Sequence, residues 1–185
     1  NTKVAGAIAR WYTMLHKKGR ADLSGSESPM YDESDVLTAD NMRLIAEKTG
    51  TAENMLWHTI TGNYDMIRSR IDALPRTLTY NDFYWTNLLV SKTGESAFMF
   101  DYNLLGKGIA YGDIRNVTGS LSPEAAAAFI QEYGDDIDEE QKKADAFIAP
   151  LVTLANACRY ETFPTWAATS LEELKNGELL KHLRE

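Results

Sequence analysis

The sequence has no second cysteine. Cys158 stands alone among 185 residues, which excludes an internal disulfide and a thiolate metal cluster and makes a reducing compartment the simplest setting. No apolar run reaches the roughly 18 residues a membrane helix needs, and no signal-peptide pattern occurs. The expectation is a soluble, cytoplasmic chain with no membrane partner. Basic residues are scarce: 19 Lys and Arg stand against 27 Asp and Glu, for a formal net charge of -8. That balance argues against nucleic acid as the main partner, because phosphate backbones are bound by basic surfaces. It suits solubility, and it also suits a cationic small substrate. There is no internal repeat and no low-complexity tract. An initiator methionine is missing too: the chain opens NTKV, within what reads as a helical domain, so a trimmed or truncated chain is expected.

What is present is an ordinary globular balance, with 44% hydrophobic and 25% charged residues. A chain of 185 residues suits one domain over 1–185, large enough to bury a core without staples. Val4, Ile8, Trp11, Met14 and Leu15 share a helical face, and Gly19 reads as the stop. Residues 22–36 are rich in Ser, Gly, Asp and Glu and read as a mobile loop. Thr38 caps a second helix ending at Gly50, Thr51 a third to about Ile60, and Asn63 starts a fourth that Pro75 ends. Ser122-Pro123 opens a helix that stops at Gly134. A long helix follows from about Asp138 to Tyr160, with a kink expected at Pro150. Ser170 and Glu173 have capping-box spacing for a last helix. The fold class is α+β, mainly α.

The pattern changes in the middle. Leu88-Leu89-Val90 and Ala97-Phe98-Met99-Phe100 flank a turn, Lys92-Thr93-Gly94-Glu95, and read as a small central β-hairpin. Asp82 and Asn87 precede its first strand, and Asp101 leaves its second. A hairpin returns on itself, so these three side chains fall at one end of it. Two carboxylates and an amide are oxygen donors that suit a hard divalent cation such as magnesium. Phosphoryl transfer asks for such ligands and for a carboxylate to orient and deprotonate a hydroxyl.

The spacing Asp-x-x-x-x-Asn, then a hairpin, then an exit Asp, resembles the catalytic loop and metal-binding segment of protein-kinase-like enzymes. More closely, YNDFYWTNLLV resembles the catalytic stretch of the aminoglycoside phosphotransferase and choline kinase superfamily. FMFDYNLLGKGIAYGDIRNV resembles the metal-binding segment and helix start that follow it there, and AIARWYTMLHKKG the Leu-His-ending helix near the start of the C-terminal lobe. The resemblance covers residues 4 to about 134.

It implies the helical C-terminal lobe of a protein-kinase-like fold. It implies Asp82 as catalytic base, and Asn87 and Asp101 as ligands of the Mg2+ carried by ATP (or GTP). It implies Asp113 as structural support, bonding the catalytic-loop backbone. The partners implied are a nucleotide and a small hydroxyl-bearing substrate. Tyr80 stands where the superfamily usually has His, Arg115 where it has a small residue, and Tyr102 follows the metal Asp. No glycine-rich phosphate loop and no Val-Ala-Ile-Lys-like strand occurs, so the resemblance implies a C-terminal lobe alone, inactive by itself. The alternative is a degenerate or truncated kinase lobe that only binds.

Other polar groups have plainer readings. His16 reads as a cation closing its helix end, with a catalytic base as the alternative. His58 and His182 lack partners at ligand spacing. Trp85 either stacks on a substrate or packs the loop. Asp135, Asp136, Asp138, Glu139 and Glu140 read as a solvated helix start or as a wall facing a cation.

Overall fold

A computed structural model describes residues 1–23, 30–134 and 137–184. In chain order its elements are α1 (Thr2–Leu23), α2 (Ala39–Lys48), α3 (Met55–Asp72), β1 (Thr77–Thr79), β2 (Leu88–Val90), β3 (Ala97–Met99), β4 (Gly106–Gly108), α4 (Ala110–Gly119), α5 (Pro123–Tyr133), α6 (Glu139–Ala157), α7 (Ala168–Asn176) and α8 (Glu178–Arg184). The protein is mainly helical, with two small antiparallel sheets. No helix among the described residues is long and apolar enough to cross a membrane. The chain divides into two compact units, Asn1–Asp32 with Pro75–Gln141 and Glu33–Leu74 with Lys142–Glu185.

The first unit is built on α1, which packs against α5, β1 and β3. Its buried face is Ala5, Ile8, Ala9, Trp11, Tyr12, His16 and Gly19, a helical stripe closed by a histidine and a glycine. Met14, expected on that face, is 49% exposed. The core around the stripe gathers Tyr80 and Phe83 from the loop before the hairpin, Met99 from β3, Ile114 and Val117 from α4, and Phe129 and Tyr133 from α5.

Gly19 does not end α1, which runs on to Leu23. The helix presses against β1 at this point. A Cβ on Gly19 would sit 2.3 Å from the Leu78 backbone nitrogen and 2.6 Å from Thr77 Oγ1. The glycine therefore buys contact with β1 instead of a stop.

Residues 88–90 and 97–99 form the expected hairpin, with Leu88 opposite Met99, Leu89 opposite Phe98 and Val90 opposite Ala97. Ser91 Oγ closes the turn by accepting from the Glu95 and Ser96 backbone N–H groups, each at 3.1 Å. The second sheet was not expected. β1 pairs with β4, Thr79 opposite Gly106 and Thr77 opposite Gly108. A three-residue strand of sequence Gly-Lys-Gly has neither β-propensity nor alternation to announce it.

In the second unit Thr38 caps α2 as expected, accepting from the Asn41 N–H at 3.2 Å. The third and fourth expected helices are one, α3, bent where Asn63 leaves helical geometry (φ -130°, ψ 17°). Its cap is Asn54, which accepts from the Leu56 N–H at 2.9 Å. Thr51 serves instead as acceptor for the Trp57 indole at 2.8 Å. The last helix is two. Gly177 takes a left-handed φ of 84° between α7 and α8, a conformation glycine adopts without strain. The Ser170–Glu173 box does not form, because α7 begins at Ala168 with no side-chain cap. Of the loop expected at 22–36, residues 24–29 lie outside the described residues, and Glu33–Val36 is a short 3-10 turn. Asp135 and Asp136 of the acidic run also lie outside them.

Gly19→Ala tests the α1–β1 contact. Overpacking against backbone costs about 1–3 kcal/mol, more than the roughly 1 kcal/mol that alanine gains in helix propensity. The urea midpoint should fall with an unchanged slope.

Candidate functional site

Asp82, Asn87, Asp101 and Asp113 all belong to the first unit. The hairpin sets the first relation. Its ladder extends one residue beyond the strands, with the Phe100 N–H donating to the Asn87 carbonyl at 3.1 Å. Asn87 therefore stands opposite Phe100, next in sequence to Asp101. The Asn87 side-chain amide donates to Asp82 Oδ2 at 3.0 Å and to the Asp82 carbonyl at 3.3 Å. The amide nitrogen thus faces Asp82, and its oxygen, which accepts a long bond from the Thr86 hydroxyl at 3.4 Å, keeps a second lone pair for another partner. Asp82 and Asn87 are half-buried, and Asp101 is exposed.

Asp113 is placed differently. It is 1% exposed, in the first turn of α4. Its Oδ1 accepts from the Asn81 N–H at 2.8 Å, and its Oδ2 from the Tyr80 N–H at 2.8 Å. Oδ2 also faces His16 Nε2 at 3.1 Å. A buried carboxylate needs such donors, since burying an uncompensated charge is expensive.

His16 corrects its sequence reading. It is interior to α1 and 1% exposed, so it does not close a helix end in solvent. Nε2–H donates to Asp113, and Nδ1 is hydrogen-bonded to the Tyr133 hydroxyl at 2.7 Å. His16 and Tyr133 were not foreseen as a pair. The available signal was the i, i+4 series Ile8, Tyr12, His16 on one helix face.

Tyr80 is fully buried, with its hydroxyl donating to the Phe100 carbonyl just ahead of Asp101. Its ring meets Trp11 edge-on at 5.5 Å. Burial first, and then the Asp82 charge, push its phenol up to about 12, with Asp101 adding to the rise and Asn87 opposing it. Both acids therefore act on one hydroxyl. Tyr12 lies beneath. Its hydroxyl is buried with no hydrogen-bond partner among the described residues, and burial followed by Asp113 pushes it far above the ordinary tyrosine value.

The aromatic residues divide by depth. Phe83 is in the core, while Tyr84 and Trp85 are 68% and 52% exposed. Among the described residues, no three His, Cys, Asp or Glu side chains are grouped to hold a metal by themselves. An apolar hollow in the second unit, lined by Leu37, Met42, Ile60, Phe147 and Leu151 among others, contains no carboxylate and offers nothing to this chemistry. Comparison of the chain with protein-family models, with curated proteins and with solved structures gave no match in any of the three.

The two buried phenols make an alkaline prediction. Tyr80 has a folded value near 12 against an unfolded 10.0. Its protonated form is thus favoured by folding, and the stability it contributes is present below about pH 10 and lost as pH rises toward 12. Stability measured by denaturant titration should fall over that window, and Tyr80→Phe should flatten part of the fall. Tyr12→Phe, which removes a buried hydroxyl with no partner, should leave stability at neutral pH unchanged or raise it by about 1 kcal/mol.

Proposed function

We propose that this chain is the C-terminal, substrate-side lobe of an ATP-dependent small-molecule phosphotransferase of the aminoglycoside phosphotransferase type. The observation that carries the reading is the pair of contacts at the open end of the hairpin. The Phe100–Asn87 backbone bond sets Asn87 opposite the residue before Asp101, and the Asn87 amide ties Asp82 to Asn87.

The donor set fits a magnesium ion. Asn87 Oδ1 and the exposed Asp101 carboxylate are hard oxygen donors, and magnesium takes its remaining ligands from water and phosphate. When bound, it would neutralise charge on the nucleotide phosphates. Asp82 accepts the proton of the substrate hydroxyl as that oxygen forms its bond to the γ-phosphorus. The bond from phosphorus to the bridging oxygen breaks, and the nucleoside diphosphate leaves with the electron pair. The Asn87 amide orients Asp82 by donating to one of its oxygens, which leaves the other for the hydroxyl. Asp113 and His16 touch no reacting atom and hold the loop. The net charge of -8 suits a cationic acceptor alcohol.

A second reading is a lobe that binds without turning over. It is favoured by the sequence, which contains no glycine-rich phosphate loop and no lysine-bearing strand of the kinase kind. Calorimetry with magnesium-ATP on the 185-residue chain tests the isolated lobe: weak binding and no turnover are expected, and tight binding contradicts it. In any preparation that does transfer phosphate, Asp82→Asn should lower kcat by about 10²–10⁴-fold, the share of a general base, and spare nucleotide affinity. Near-full activity in that variant excludes Asp82 as the base.

A further inference from the structure

Asn81 immediately precedes Asp82, and its nitrogen donors are committed. Its backbone N–H donates to Asp113 Oδ1 at 2.8 Å. Its side-chain nitrogen carries two hydrogens and has two good acceptors at 3.0 Å, Thr79 Oγ1 and the Leu104 carbonyl, with the Thr79 carbonyl farther off at 3.4 Å. The Leu104 carbonyl can only accept, which settles which end of the amide is nitrogen. Asn81 also has a left-handed φ of 62°. Few side chains tolerate that region, and Asn is among those that do. Asp101, on the other side of the hairpin, is left-handed as well, with φ 64°.

Leu104 lies three residues beyond Asp101, in a loop closed by the Leu105 N–H donating to the Tyr102 carbonyl at 3.1 Å. Thr79 is the last residue of β1. One amide therefore ties the strand entering the site to the loop leaving it. Asp82 follows directly from the tied residue, and Asp101 opens the tied loop. Backbone bonds to Asp113 fix only the first of these segments.

We propose that Asn81 is a positioning residue, which sets the separation of Asp82 and Asp101 by bridging Thr79 to the Leu104 carbonyl. It takes this role only if Asn87 and Asp101 form the cation site proposed above, with Asp82 bonded to Asn87 beside it. A merely structural bridge would cost stability when removed. A positioning bridge would cost cation affinity at constant stability.

Asn81→Gly separates the two, because glycine accepts the positive φ freely and deletes only the amide. The probe is Mn2+ alone, titrated by calorimetry into the 185-residue chain, beside thermal melting and amide hydrogen exchange over residues 102–105. The wild-type chain should bind Mn2+, and Asp101→Ala should abolish the binding. Asn81→Gly should weaken it about tenfold or more, as loss of a supporting group around a metal does. Exchange over 102–105 should quicken while the melting temperature holds. Unchanged Mn2+ affinity in Asn81→Gly, or a large fall in its melting temperature, overturns the positioning role and leaves the cation site standing. A wild-type chain that ignores Mn2+, or an Asp101→Ala chain that binds as well as wild type, overturns the cation site and Asn81's role together.

Discussion

The arrangement of the first unit depends on one buried carboxylate. Asp113 is shut off from water, and its two oxygens are satisfied by the Tyr80 and Asn81 N–H groups and by His16 Nε2. Low local dielectric makes each of these bonds strong and makes the loss of any one costly. Three segments are therefore bound to a single point: α4 through Asp113 itself, α1 through His16, and the loop before the hairpin through two successive backbone groups. Tyr133 extends the same logic to α5, since its hydroxyl is hydrogen-bonded to His16 Nδ1. Apolar packing of α1 on α5 holds the helices together, but it is non-directional. The hydrogen bonds to Asp113 specify where along them the loop must sit.

From that anchor the constraint passes outward through side chains. Tyr80 and Asn81, whose N–H groups are held by Asp113, each send a side chain to the far side of the hairpin. Tyr80 reaches the Phe100 carbonyl, ahead of Asp101, and Asn81 reaches the Leu104 carbonyl, behind it. The stretch containing Asp101 is thus held from both flanks by residues adjacent to Asp82. Two non-glycine residues keep a left-handed backbone here, Asn81 and Asp101. Such conformations persist where the surroundings over-determine them, and they concentrate at functional sites.

Local signals in the sequence revealed the parts of this that depend on neighbours along the chain. The hairpin follows from two apolar triplets around Lys92-Thr93-Gly94-Glu95, and the Thr38 and Ser122 caps follow from their side chains. Asp82, Asn87 and Asp101 could be singled out because the hairpin pairs Asn87, which bonds Asp82, with the residue before Asp101. The sheet of β1 and β4 could not, because its strands are 27 residues apart by the Thr79–Gly106 pairing and too short for a period. Gly19 misled for a related reason. A glycine in a helix can mark an end or a close approach, and only the presence of β1 decides which. His16 has the same ambiguity: its burial depends on Asp113 and Tyr133, 97 and 117 positions away. Helix joins at Asn63 and Gly177 were blurred because a bend and a break carry similar residue types.

Depth separates the roles. The groups that hold the loop, Asp113, His16, Tyr80 and Phe83, are buried, whereas Asp101 is exposed and Asp82 and Asn87 lie half-buried between. A group fully sealed in the core could not meet a nucleotide or a hydroxyl, and a group on a free loop could not hold its distance to a second one. Phosphoryl transfer, the reaction proposed for this lobe, relies on positioning and charge more than on covalent chemistry, so it would be served by this gradient. The exposed Asp101 carboxylate and the half-buried Asp82 carboxylate stand near residues whose backbone groups are hydrogen-bonded into the core. The same gradient explains why Tyr80 feels both acids while itself buried. Its N–H donates to the buried Asp113 and its hydroxyl to the carbonyl next to Asp101.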